Sequence, residues 1–335
     1  MPVGELLTAQ LGHRLPGVQD VVYGAALVIA IIYLPEGIWG RISNAWGRRA
    51  LKSAGPVECP ALTADTSVVG YPRATSRITV APEEAAGGKG KALLQIDNVS
   101  KSFGGVNALH ELTVGIPAGK LIGIIGPNGS GKTTLFNVIN GYLKPEKGAV
   151  RFEGVDVGPL KPNAVCKMGV GRTFQVAQIF HNMTVLENIM VGAFAKTCDA
   201  AAARDMASEV ARKMGIIGRA HTLATGLNLW ETKMVEVSRA LATQPKLLLL
   251  DEPMSGLNPE ETDRIGALIR EIADSGVTVV VIEHVVQSLV KIADVMIGLD
   301  EGRKITEGKP QEVISNPDII EAYLGAKWRK RYATN

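Results

Sequence analysis

Gly126-Pro127-Asn128-Gly129-Ser130-Gly131-Lys132-Thr133-Thr134 decides the fold of this chain. The stretch fits G-x-x-x-x-G-K-[ST], the pattern of a loop that cradles phosphate. Its glycines let the backbone bend and point N–H groups inward without steric cost. A lysine at the position of Lys132 reaches the β- and γ-phosphates, and the Thr133 hydroxyl can ligate Mg²⁺. The flanks agree. Leu121-Ile122-Gly123-Ile124-Ile125 is an apolar run of strand length, and Thr134 to Ile139 follow with helical spacing. A helix N-terminus placed there favours the phosphate charge. Strand, loop and helix in that order indicate an α/β fold rather than a Gly-rich surface turn.

Further along, Leu247 to Leu250 and Val277 to Ile282 are continuous apolar runs. Such runs suit a parallel sheet covered on both faces. The first runs directly into Asp251 and Glu252. Acids at the carboxyl end of a buried parallel strand lie where these sheets bind ligands. Alone, the pair would read as a strand capped at the surface. About 120 residues beyond a phosphate loop, it reads as a metal-holding Asp251 and a water-polarising Glu252.

Leu94-Gln95-Ile96 and Leu112 to Ile116 alternate as half-buried strands, and Ala149 to Phe152 read as another. The stretch from Val185 to Ala242 is mostly helical. Thr184-Val185-Leu186-Glu187 is a capping box. Asp199 precedes Ala-rich sequence of high helix propensity that ends near Gly215.

Composition narrows the function classes. The chain has 335 residues, room for one large α/β domain and an appendage, and 46% are apolar. A net charge of +3 is too small to imply nucleic-acid binding. Lys327, Arg329, Lys330 and Arg331 form one basic cluster, read as a solvated tail over residues 327–335. Cys59, Cys166 and Cys198 are far apart and form no C-x-x-C, which argues against a disulfide framework or a zinc site and fits a reducing cytoplasm.

Residues 1–50 hold the uncharged run Val21 to Leu34. As a helix it would span about 21 Å, short of a ~30 Å hydrocarbon core, so length favours a buried or interfacial helix. Charge favours a membrane helix instead. Arg41, Arg48, Arg49 and Lys52 follow the run while only Arg14 precedes it, which places its C-terminal side in the cytoplasm. Residues 51–92 are rich in Ala, Gly, Pro and Glu with little apolar periodicity, and read as a flexible linker.

With these motifs in order, the chain resembles the ATPase subunit of an ATP-binding-cassette (ABC) transporter, and most of all that of the branched-chain amino acid uptake systems. The likeness covers residues 93–326. It implies a P-loop NTPase cassette with a RecA-like parallel sheet core, an N-terminal antiparallel β subdomain and an inserted α-helical subdomain at about 180–240. Gln175, in Gly171-Arg172-Thr173-Phe174-Gln175, matches the glutamine loop that touches metal and attacking water. His284 matches the switch histidine that contacts the γ-phosphate. Ser255-Gly256-Leu257-Asn258 matches the loop that crosses the dimer interface. Phe103 matches the aromatic that stacks on adenine, a contact that tolerates any base. The resemblance therefore implies ATP and Mg²⁺, with Glu252, His284, Gln175 and Lys132 catalytic and Thr133, Gln175 and Asp251 around the metal. Residues 126–134 and Phe103 would bind the nucleotide.

One motif departs from the family pattern. Where the signature Leu-Ser-x-Gly-Gln is expected stands Leu227-Asn228-Leu229-Trp230-Glu231, its frame secured by Glu236 to Ala242. Asn228 replaces the serine that meets the γ-phosphate across the dimer, and Trp230 replaces a glycine. A regulatory or weakly hydrolysing cassette is therefore the alternative reading. The implied partners are a second ABC ATPase, different in sequence, permease subunits and a periplasmic substrate-binding protein, at the cytoplasmic face of the inner membrane. Tyr23 to Gly37 resembles the last membrane helix of the permease partner, as a fusion remnant or as part of a longer gene.

Overall fold

The computed structural model describes residues 92–324. The apolar N-terminal run, the linker up to residue 91 and the basic tail lie outside the described residues. Among the described residues, no helix is long and apolar enough to cross a membrane.

The core is a six-stranded sheet of order β10-β9-β3-β8-β7-β6. Its strands are β3 (Leu121–Ile125), β6 (Val170–Arg172), β7 (Leu247–Asp251), β8 (Thr278–Ile282), β9 (Val295–Asp300) and β10 (Arg303–Gly308). All pair in parallel except β10, which runs antiparallel to β9. Every residue of β3, β7 and β8 is buried. That burial on both faces is why these strands read as unbroken apolar runs. Two apolar clusters cover the faces, one including Leu248, Leu250, Val279 and Val281 and the other Leu247, Leu249, Val280 and Ile282. Alternate residues of one strand thus feed opposite layers.

A second, antiparallel sheet has the order β2-β1-β4-β5. It joins β1 (Leu94–Phe103) and β2 (Val106–Ile116) to β4 (Lys147–Phe152) and β5 (Val155–Asp156). The β subdomain is therefore not wholly N-terminal, because half its strands come after the phosphate loop. Its apolar face, with Leu94, Ile96, Val114, Val150 and Phe152, belongs to the same cluster as helix α1 (Lys132–Ile139), so α1 lies between the two sheets.

Helix α2 (Pro162–Met168) leads into β6, and a helical insert separates β6 from β7: α3 (Val185–Ala193), α4 (Ala200–Lys213) and α5 (Leu229–Ala242). The expected caps are present. Thr184 and Glu187 form the capping box of α3, and the Asp199 carboxylate accepts from the amides of Ala201 and Ala202 at the start of α4. Helices α3 and α5 meet backbone to backbone. A Cβ on Gly192 would lie 2.0 Å from the Arg239 carbonyl oxygen, so only glycine fits there. Helices α6 (Pro259–Asp274), α7 (Val286–Ile292), α8 (Pro310–Ile314) and α9 (Pro317–Leu324) complete the described chain. Cys166 carries a free thiol.

Candidate nucleotide site

Strand β3 ends at Ile125 and the phosphate loop begins at Gly126, so the loop emerges at the carboxyl edge of the buried sheet. Crowding there demands glycine. A Cβ on Gly126 would meet the Leu299 carbonyl oxygen at 2.2 Å and Ser130 Oγ at 2.6 Å. Gly131 has φ +96°, and a Cβ there would lie 2.3 Å from the Ala108 carbonyl. The loop's far end is tied to the β9–β10 turn, where the Gly302 amide donates to the Ser130 carbonyl at 3.2 Å. Gly131 caps α1, so the free amides of that helix face the loop's concavity.

Lys132 is buried, and its ammonium folds back on its own loop. Nζ donates to the carbonyls of Gly126 and Pro127, both at 2.8 Å, and to Ser130 Oγ at 3.3 Å. Burial lowers its pKa, while the charges of Glu252 and Asp251 hold it up. An ammonium parked on carbonyls inside a loop is a cation held ready for an anion.

Beside the loop lies a cleft of about 280 Å³, lined by Asn128, Gly129, Gly131, Lys132, Thr133 and Thr134 from the loop and by Gln175, Glu252 and His284. Four segments far apart in sequence thus converge. Glu252 is their meeting point. Its Oε1 accepts from Gln175 Nε2 at 3.3 Å and lies 2.7 Å from His284 Nε2. Its φ is +50°, a left-handed conformation uncommon outside glycine. Such a conformation persists only where neighbours impose it. Here the Glu252 amide donates to the Ile282 carbonyl at 2.9 Å, and its own carbonyl accepts from Lys233 Nζ at 3.0 Å.

Lys233 and Glu283 were not singled out in the sequence. Lys233 is buried on α5, and Glu283 is fully buried after β8. Glu283 Oε1 accepts from the Met254 amide at 2.6 Å and Oε2 from the His284 amide at 3.2 Å. One carboxylate therefore joins the turn after Glu252 to the turn carrying His284. Burial lowers the Lys233 pKa and raises that of Glu283, and the attraction between them opposes both shifts. A lone Lys on an amphipathic helix and a Glu beside a His carry no sequence signal of this kind.

Asp251 ends β7 and is buried. Its Oδ2 lies 3.4 Å from Arg172 Nη2, while Oδ1 is buried without a hydrogen-bond partner among the described residues. Burial raises its pKa and Arg172 opposes the shift. Arg172 is itself held by Asn137 Oδ1 at 2.7 Å and by the faces of Phe136 and Phe174. No group of three His, Cys, Asp or Glu side chains among the described residues could hold a metal alone. An orphaned carboxylate oxygen near a phosphate loop suits Mg²⁺, which binds through one or two carboxylates, substrate phosphates and water.

Phe103 is 48% exposed at the end of β1, so it is no core residue. It does not line the cleft with the others, and its ring carries Lys101 Nζ at 5.4 Å from the centroid. The altered signature is also resolved in detail. Asn228 caps α5, its Oδ1 accepting from the Glu231 amide at 2.8 Å while Glu231 Oε2 accepts from the Asn228 amide at 3.1 Å. Trp230 packs against the apolar cluster of its own chain, with the Arg264 guanidinium 5.1 Å from its ring. The indole thus folds back onto α6.

Comparison with known proteins follows the same lines. A family model described as ABC transporter matches residues 109–255, and one described as branched-chain amino acid ATP-binding cassette transporter matches residues 303–328. The high-affinity branched-chain amino acid transport ATP-binding protein LivG of Salmonella typhimurium is 33% identical over 249 residues, covering 70% of this chain and 98% of LivG. BraF of Pseudomonas aeruginosa, of the same description, is 32% identical over 251 residues, covering 70% of this chain and 98% of BraF. Among solved structures, the ADP conformation of MJ1267, an ATP-binding cassette of an ABC transporter, superposes with a TM-score of 0.64 at 31% identity, covering 70% of this chain and 99% of that one.

Proposed function

This chain belongs to the ATP-binding subunits of ABC transporters of the branched-chain amino acid type, and on that premise we propose how its residues divide the work. The protein is an ATPase that couples ATP binding and hydrolysis to amino-acid uptake through a permease.

Residues Gly126 to Thr134 hold the phosphates, with Lys132 leaving the Gly126 and Pro127 carbonyls for the β- and γ-oxygens. Thr133, Asp251 and Gln175 would hold Mg²⁺, which when bound neutralises phosphate charge as the γ-phosphoryl departs. Glu252 takes the proton of the attacking water, and His284 and Gln175 fix the direction of its carboxylate. Catalysis is positioning plus charge stabilisation, with no covalent intermediate. Phe103 offers an exposed ring to the base. The observation that carries this reading is the convergence of Gln175 and His284 on one oxygen of Glu252, beside Lys132 in one cleft. Lys132→Ala should weaken Mg-ATP binding strongly with the fold intact; calorimetric titration checks this, and parental affinity would refute the site.

Residues 93–326 act as the cassette, with residues 180–240 as its helical subdomain. A second, different ATPase subunit completes the nucleotide sandwich, and a periplasmic binding protein delivers the amino acid. The subunit works at the cytoplasmic face of the inner membrane. The apolar run Val21 to Leu34 with its basic flank supports an anchor in residues 1–50. The full chain should then stay with membranes through a high-salt wash; recovery in the soluble fraction would remove the anchor.

A further inference from the structure

The phosphate loop is gripped from a place that its motif does not mention. The Gly126 amide, first of the loop, donates to the hydroxyl of Tyr323 at 2.8 Å, across 197 residues of sequence. Tyr323 lies on α9, beyond the last strand. Ile319, four residues earlier, projects from the same face of that helix. It is 4% exposed, and it fills the slot over β9 that Gly298 leaves open: a Cβ on Gly298 would lie 2.2 Å from Ile319 Cδ1. Gly298 is the register partner of Ile125, the residue just before the loop. Helix α9 therefore crosses the carboxyl ends of β9 and β3, with Ile319 seated on one strand and Tyr323 bonded to the loop that leaves the other.

We propose that Tyr323 is a positioning residue for nucleotide binding, its hydroxyl pinning the first peptide of the phosphate loop so that α9 and the nucleotide site are energetically linked. The inference rests on residues 126–134 being that site. Gly126 is held at both polar groups, its amide by Tyr323 and its carbonyl by Lys132. When Lys132 turns to a phosphate, it releases the carbonyl. The Tyr323 bond is then what keeps that end of the loop in place, while Gly302 keeps the other. A loop already fixed loses less conformational freedom on binding. Linkage is reciprocal, so bound nucleotide in turn steadies α9.

The test is Tyr323→Phe in the full chain, which keeps the ring and removes only the acceptor. A part-buried neutral hydrogen bond, from a tyrosine that is 37% exposed, predicts a Kd for Mg-ATP raised about 3- to 10-fold, with kcat at saturating ATP held in the assembled transporter. Hydrogen exchange of residues 317–324 should slow on adding Mg-ATP to the parent and respond less in the variant. An unchanged Kd would overturn the proposal. So would an affinity loss accompanied by faster α9 exchange in the absence of nucleotide, because undocking of the helix would then explain it. Lys132→Ala in parallel separates the premise: unaltered binding there removes the site itself, whatever Tyr323→Phe shows.

Discussion

Glu252 is the residue on which the proposed chemistry turns, and its surroundings hold a carboxylate in an uncommon backbone conformation. Its side chain meets Gln175 and His284, and its carbonyl meets Lys233. Glu252→Gln keeps the shape and the capacity to hydrogen-bond while losing the charge that polarises water. The variant is expected to bind Mg-ATP and accumulate the closed assembly with its partner, with turnover reduced at least about 10²-fold. Phosphate release from the assembled complex measures this, and parental turnover would remove Glu252 from the mechanism. At this scale much was legible. The loop, Asp251 and Glu252 announce themselves by type and spacing. Gln175 and His284 carry little signal alone and gained their meaning from order along the chain. Lys233, Glu283 and Tyr323 were not legible, because each acts through a backbone group, and any position in the sequence has one of those.

Among elements, α5 links directly to the turn that carries Glu252. It begins at the altered signature, and one turn on it sends Lys233 into the Glu252 carbonyl. Lys233→Met keeps the aliphatic stem and removes the donor. ATP affinity should hold within about twofold while kcat falls roughly 5- to 30-fold, the equivalent of ~1–2 kcal/mol for a lost charged hydrogen bond. Lys233→Arg should recover part of the loss. A variant with parental kcat would show that the Glu252 backbone needs no support from α5. The helices and buried strands were readable from capping residues and apolar runs. The antiparallel sheet was read only in part. The pairing of β4 with β1 is a long-range choice made by the shared apolar face, which local periodicity does not report.

In the whole transporter, the chain is expected to make two unequal contributions. On the proposed pairing with a different subunit, it would bring Lys132, Gln175, Glu252 and His284 to one nucleotide and, through Asn228 and Trp230, an altered signature to the other. Asn228 Oδ1 is engaged in a cap and Trp230 is folded onto Arg264, so the substitution has been absorbed without a protruding indole. On that pairing the donors facing the second nucleotide would differ, and losing one preorganised donor costs about 10²–10³ in rate. Asn228→Ser combined with Trp230→Gly should raise turnover in the partner's site. Lys132→Ala should abolish more activity than the corresponding change in the partner; equal losses would argue for tightly coupled sites instead. Finally, the contact at Gly192 has a mechanical consequence. Two helices whose backbones touch cannot slide or flex past each other without breaking that contact. With the Phe174 amide donating to Glu236 on α5, direct contacts run from α3 through α5 to the residue before Gln175, so a displacement of α3 is expected to move the backbone beside Gln175.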